Sequence, residues 1–337
     1  MEMAFEIPEP EFVGLFRLNK GLCRDLIQEL EPFLPSRREG ISTVSKVLSA
    51  LSFYASGSYQ RFIGASAHHK MHQASVSNCV RAVTQALNNE YFRRKYIHFP
   101  QTREERNIIK NGFYQKFNIP GVVGCIDGTH IAIVRPSEHE ERFFNRKRYH
   151  SLNAQIVCDS DLNIISVDAS HGGANHDSFI WNYHPLKQHL EHLHGVENET
   201  LWFLGDSGYP LRPTLMTPII STEPDSPQRY YTDLHCRVRN TVERCIGLLK
   251  SRWRCLLVDR KLHYHPTTAG LITNACVVLH NICNAARLPA TPLTLQEEQN
   301  ETRMQIRIIE TTTRSEHLAA GESVRNALVN RLWSARS

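Results

Sequence analysis

The sequence predicts an α/β core preceded by a helical region, and two observations carry that prediction. Up to about residue 115, apolar residues recur mainly at helical spacing. From about 120 onward, short apolar runs of strand length alternate with helical stretches. The resulting order of strand, strand, strand, helix, strand, helix is that of an α/β domain with an antiparallel start and a parallel crossover. Three regions are expected: a helical one at 1–115, an α/β domain at 116–289, and a polar linker with a final helix at 290–337.

In the first region Val44, Val47, Leu48, Leu51 and Ala55 mark one helix face, and Val76, Val80, Val83 and Leu87 mark another. Ser75 is the expected cap of the second helix. Gly57 separates the two, and SYQRFIGASA fits a short middle helix. Helix, short helix, turn, helix suits a helix-turn-helix, with Ser77, Asn78 and Arg81 on the outer face of its last helix. A plain three-helix bundle fits the same pattern.

In the second region GVVGCID reads as a strand ending at Asp127, and IAIV resumes the pattern after Gly128–His130. SLNAQIVCD and NIISVDAS form a hairpin pattern around Ser160–Leu162. A helical stretch starts at Asp177 and is broken at Pro185. LWFLGD is a strand ending at Asp206. The proline-rich segment 210–233 reads as irregular, and a long helix is expected from Leu234 to Leu256. PATPLTLQEEQNETR has linker composition, and ESVRNALVNRLW sets Val324, Leu328 and Leu332 on one helical face.

Composition narrows the classes. With 41 % hydrophobic and 22 % charged residues the chain matches an ordinary globular protein. No apolar run approaches the roughly 18–20 residues of a membrane helix, so no membrane association is expected. The acidic, proline-broken start MEMAFEIPEPEF predicts no secretory signal. Nine cysteines without a C-x-x-C pair read as reduced, buried thiols of a cytoplasmic or nuclear protein. Histidines 171, 176, 189, 192 and 194 lack cysteines at ligand spacing and read as polar faces rather than a zinc site. Neither a Walker-type loop nor G-x-S-x-G is present, which argues against nucleotide hydrolysis and serine esterase chemistry.

Three acids stand where chemistry is expected. Asp127 and Asp206 each close an apolar run, at the strand ends where α/β proteins bind ligands. Glu243 borders the stripe Val238, Val242, Ile246, Leu249 and Trp253 of the long helix. Carboxylates gathered from separate elements repel by about 4 kcal/mol per pair at 4 Å and an effective dielectric of 20, so either shared protons or a cation is expected among them. Hard oxygen donors suit Mg²⁺ or Mn²⁺. The same helix carries Arg237, Arg239, Arg244, Lys250, Arg252 and Arg254 against one acid. Such a strip beside acids suits a phosphodiester substrate. RFFNRKRYH, with Arg146 and Arg148, and YFRRKY at 91–96 are further basic-aromatic blocks.

The blocks GVVGCIDGTHIAI, YHSLNAQIVCDSDLNIISVDASHGGANHDSFIW, LGDSGYPL and RNTVERCIGLLKSRWRCL, in this order, resemble the signatures of Harbinger-superfamily DDE transposases. The resemblance extends in particular to their domesticated relatives, the Harbinger transposase-derived nucleases. FYASGSYQRFIGASAHHKMHQASVSNCV is similar to that family's helix-turn-helix region. The resemblance implies an RNase H-like fold and a metal-dependent catalytic triad falling on Asp127, Asp206 and Glu243. Asp177 matches a further acid counted with the metal ligands; the residues alone also fit a helix N-terminal acid. Lys250 matches a basic residue seven places after the glutamate. DNA contact is expected at Lys250, Arg237, Arg239, Arg252, Arg146, Arg148 and Arg81.

The implied activity is DNA endonuclease chemistry by two-metal phosphodiester hydrolysis, with Mg²⁺ or Mn²⁺ as cofactor. Asp127 would bridge the ions, and Asp206 and Glu243 would each hold one. The family also implies a Myb-like DNA-binding partner and a location in nucleus and cytoplasm. The alternative is a catalytically silent DNA-binding or adaptor protein that keeps the transposase fold.

Overall fold

The computed structural model describes residues 2–34, 40–66, 68–305 and 316–336. In chain order the helices before the sheet are α1 (Glu9–Phe16), α2 (Lys20–Leu30), α3 (Thr43–Ser56), α4 (Gln60–Ala65), α5 (Gln73–Leu87), α6 (Glu90–Tyr96) and α7 (Arg103–Phe117). Then come β1 (Val122–Ala132), β2 (Ser151–Cys158), β3 (Ile164–Gly172), α8 (Asp177–Tyr183), α9 (Pro185–Gly195), β4 (Trp202–Leu204) and β5 (Leu215–Met216). Last are α10 (Pro227–Arg252), α11 (Pro266–Ala285), α12 (Leu295–Gln305) and α13 (Glu316–Ser334). The fold is therefore mixed α/β.

Two compact units are interleaved along the chain rather than following one another. One comprises Met1–His98, His130–Leu152 and Gly247–Ile306; the other comprises Phe99–Thr129, Asn153–Ile246 and Arg307–Ser337.

The first unit is built on helices with legible ends. Ser42 caps α3 by accepting from Ser45 N, and Gly57 ends it in the left-handed region at φ 62°. The apolar faces expected on α3 and α5 are buried, apart from half-buried Val44. The cap of α5 is His72, three residues before the expected Ser75, so the helix gains nearly a turn. The polar stretch expected to be a linker folds as α12 up to Gln305, while residues 306–315 lie outside the described residues. Buried acids order it: Glu301 accepts from Lys250 Nζ at 2.7 Å and from Val258 N at 2.6 Å, and Glu297 lies 3.7 Å from Arg254. Linker composition does not prevent ordering where acids meet a buried lysine and a half-buried arginine.

The second unit carries most of a five-stranded sheet of order β3-β2-β1-β4-β5, with β1, β4 and β5 parallel. Val123, Ile126, Val157, Ile165, Phe203 and Leu215 pack with Trp181 of α8 and Leu190 and Leu193 of α9. The hairpin between β2 and β3 closes as expected: Asp159 Oδ1 accepts from Asp161 N and Asn163 N at 2.8 and 2.9 Å.

Two boundaries differ from expectation. β1 runs unbroken through Asp127, because Gly128–His130 stay extended. The long helix starts at Pro227, not Leu234, and ends at Arg252; Ser226 Oγ accepts from Arg229 N at 3.2 Å, forming a Ser-Pro start. α13 packs on β5 through the expected apolar face, and Arg325 reaches Thr217 O at 3.4 Å. All nine cysteines are free, and only Cys236 is exposed. No helix among the described residues is long and apolar enough to cross a membrane.

Candidate active site

Parallel pairing of β1 with β4 sets the first two acids at neighbouring strands. Cys125 pairs with Leu204 at the last rung of the β1–β4 ladder. Two residues on stand Asp127, still within β1, and Asp206, two residues past the end of β4. Within β1, Asp127 shares the face of Cys125, since side chains alternate with period two. That face looks toward α10, as the Cys125 thiol donating to Val238 O at 3.5 Å establishes. Asp206 Oδ1 accepts from Gly208 N at 3.0 Å, which shapes the turn leaving β4.

Asp127 is only 2 % exposed. Its Oδ1 accepts from Gly128 N at 2.7 Å, and its Oδ2 accepts from Arg239 Nη1 at 3.3 Å. Arg239 is on α10, whose residues Val238, Val242, Ile246 and Leu249 are buried. The other guanidinium nitrogen pairs with Glu243, one turn along the same helix. Arg239 therefore joins Asp127 and Glu243. Below it His235 is fully buried; burial lowers its imidazole to about 4, and its Nε2 donates to Met216 O at 3.0 Å.

Asp177 meets the strand from the opposite side. A Cβ built on Gly128 would fall 2.1 Å from Asp177 Oδ1, and Gly128 faces away from Asp127 by the strand alternation. Asn153 Nδ2 donates to Asp177 Oδ1 at 2.9 Å, and Gln155 Nε2 reaches Asp177 O at 3.3 Å and Tyr209 Oη at 3.2 Å. Asn153 and Gln155 were not singled out from sequence. Their signal is legible in retrospect: alternate polar residues in β2, every residue of which is buried.

Among the described residues no group of three or more His, Cys, Asp or Glu is gathered closely enough to hold a metal ion. The donor types still suit one, since Asp127, Asp206 and Glu243 offer only hard carboxylate oxygens. The cation that now joins Asp127 to Glu243 is Arg239.

Comparison with known proteins fixes the family. Residues 126–281 match the DDE superfamily endonuclease family. The chain is 37 % identical over 248 residues to "Putative nuclease HARBI1" of Bos taurus, covering 73 % of this chain and 68 % of that protein. It is 36 % identical over 248 residues to the Homo sapiens protein of the same name, with the same coverage. "Protein ALP1-like" of Arabidopsis thaliana is 25 % identical over 316 residues, covering 89 % and 75 %. The chain belongs to the Harbinger transposase-derived nucleases of the DDE superfamily. No solved structure matches it.

The basic residues expected at DNA in this Harbinger-family chain divide by exposure. Arg81, Arg146, Arg148 and Arg237 are exposed. Arg81 pairs with Asn78 on the outer face of α5. Arg146 and Arg148 lie in a tight loop where Asn145 Oδ1 accepts from Lys147 N at 2.9 Å. Lys250 and Arg252 depart from expectation: they are 4 % and 3 % exposed. Lys250 is held by Glu301 and by His130 O at 3.2 Å, and Arg252 donates to Leu288 O at 2.8 Å. Tyr209 is buried and reaches Gln155, a packing role.

Proposed function

We propose that this chain is a divalent-metal-dependent DNA endonuclease with an RNase H-like core, its catalytic carboxylates being Asp127, Asp206 and Glu243. The observation that supports it is that Asp127 and Glu243, from β1 and α10, share the guanidinium of Arg239, while Asp206 follows β4, the parallel neighbour of β1. Mutual repulsion of about 4 kcal/mol per carboxylate pair at 4 Å and dielectric 20 favours a cation among them. Mg²⁺ or Mn²⁺ suits oxygen donors of this kind. Bound there, a pair of such ions would activate water and stabilise the leaving oxygen of a phosphodiester.

The chain's own groups do the rest. The Gly128 N–H orients the Asp127 carboxylate. Arg239 holds Asp127 and Glu243 in place; its planar guanidinium is also of the kind that would meet a DNA phosphate. Asp177, facing away from Asp127, is left out of this ligand set and braces β1 against β2. Arg81, Arg146, Arg148 and Arg237 are the proposed phosphate contacts, while Lys250 and Arg252 serve internal packing. Functionally, 1–115 is a helix-turn-helix-like DNA-binding region and 116–289 the nuclease domain. Action in nucleus and cytoplasm, with a Myb-like partner, belongs to the same proposal.

A second reading has one observation in its favour. Arg239 pairs with two of the acids, a structural role that a catalytically silent DNA-binding or adaptor protein would also keep. A plasmid-nicking assay with Mn²⁺ separates the two. Nicking by the unaltered chain that disappears in Asp127→Asn supports the nuclease; DNA binding without nicking in either supports the adaptor.

A further inference from the structure

Two stretches of the sequence contain no Asp or Glu at all: residues 40–89 and residues 260–296. Both belong to the first unit, and residues 53–60 of the one meet residues 260–264 of the other. Gly57, at φ 62°, turns the chain from α3 into α4, and a Cβ built there would lie 3.0 Å from Arg260 Cβ and Cγ. Gln60 Nε2 donates to Tyr264 Oη at 2.6 Å, and the Tyr264 ring packs on Phe53 at 5.7 Å. Leu262 is buried, so Lys261 and His263 on either side of it face outward.

The seam carries two rings that the protein does not cover. Tyr59 is 66 % and Phe62 70 % exposed, with ring centroids 6.5 Å apart, and His263 stands 5.6 Å from Tyr59. Arg61, Arg260 and Lys261 are exposed around them. Among the described residues none of these three cations pairs with an acid. Large exposed rings cost hydration free energy, and beyond their contacts with each other and with His263 these two leave most of their surface to solvent.

We infer that Tyr59, Phe62, Arg61, Arg260, Lys261 and His263 form a binding surface for single-stranded DNA. The rings supply faces on which unpaired bases stack, and the cations track the backbone phosphates. Charge selects this occupant: none of the six side chains named is a carboxylate that would match a basic partner, and the lysine and arginines would have to be desolvated under an apolar one. Paired bases keep their faces stacked in the duplex, so isolated rings favour unpaired strands. The surface involves none of the acids of the candidate active site, and binding here is independent of cleavage.

The test is fluorescence anisotropy with the full chain in EDTA, which prevents cleavage, using a labelled oligothymidylate and a duplex of equal length. The single strand should bind, and loss of the two rings should weaken it more than it weakens the duplex. Tyr59→Ala with Phe62→Ala should weaken single-strand binding by roughly fivefold to a hundredfold per ring, from the usual stacking contribution. Tyr59→Trp with Phe62→Trp should retain it. Arg61→Gln, Arg260→Gln and Lys261→Gln together should flatten the log–log salt slope by about 2. All substituted side chains are exposed, and circular-dichroism melts should match the unaltered chain. An alanine pair that binds the single strand within twofold of the unaltered protein, or an unchanged slope in the glutamine triple variant, would overturn the assignment. The nicking assay is a separate readout: a chain that nicks plasmid yet shows any of these results loses this surface and keeps its active site.

Discussion

Arg239 donates to the buried carboxylate of Asp127 across 3.3 Å, although the two residues are 112 positions apart in sequence. The same guanidinium pairs with Glu243 on its own helix. One side chain thus neutralises two of the acids on which the proposed chemistry depends. Guanidinium and divalent metal compete for the same oxygens, and the following expectations turn on that competition.

Arg239→Gln should destabilise the metal-free protein by about 1–3 kcal/mol, because Asp127 is left buried without its cation. Urea unfolding in EDTA measures this. Added Mn²⁺ should restore more stability to the variant than to the unaltered chain, since its competitor is gone. An unchanged urea midpoint would mean that water already serves Asp127.

Metal binding should follow the strand register. Calorimetry should detect Mn²⁺ binding that weakens in Asp127→Asn and in Asp206→Asn, one within β1 and the other just past the end of β4. Saturating metal at a hundred times its Kd should raise stability by about 2.7 kcal/mol through linkage. Binding that survives both substitutions would remove the metal assignment.

Glu243→Gln separates catalysis from packing. The side chain is half exposed, so the variant should stay folded and bind DNA at least as well as the unaltered chain. Plasmid nicking should fall by orders of magnitude. Full nicking with a lowered melting point would instead make Glu243 a structural partner of Arg239.

Glu301→Gln should cost about 3 kcal/mol, since it strips a buried lysine of its counter-charge. Limited proteolysis should then cut within 290–305 much faster. Lys250→Met combined with Glu301→Leu should recover most of the loss, because both desolvation costs disappear together.

Stability should rise as pH increases from about 4 to about 6.5. His235 is lowered to about 4 by burial, whereas an unfolded histidine titrates near 6.5. Between those values the unfolded state holds the extra proton and is favoured by acid, with a slope of about 1.4 kcal/mol per pH unit for one group. His235→Gln should remove its share of that slope in urea titrations across the window.

Local signals were legible wherever one segment determines its own structure. The Gly57 break, the Pro185 interruption and the turn at Asp159 follow from backbone preferences and neighbouring side chains. The start of α10 was legible too, in Ser226-Pro227, but the surrounding prolines masked it. The three acids stood out because each borders an apolar run, and the family blocks around them were specific enough to name the group.

The partner of each charge was decided only by the tertiary fold. Basic residues at 239, 250 and 252 look alike along the helix, yet Arg239 joins two acids, Lys250 is closed over by Glu301 and Arg252 donates to backbone carbonyls. Asp177 looks like a fourth member of the acid set, yet strand alternation turns Gly128, and with it Asp177, away from Asp127. Asn153 and Gln155 gained their roles from what packs over β2. Periodicity and caps act within a few residues, so sequence carries them. The electrostatic environment of a side chain is set by groups that approach from distant parts of the chain, and those approaches exist only once the core has formed.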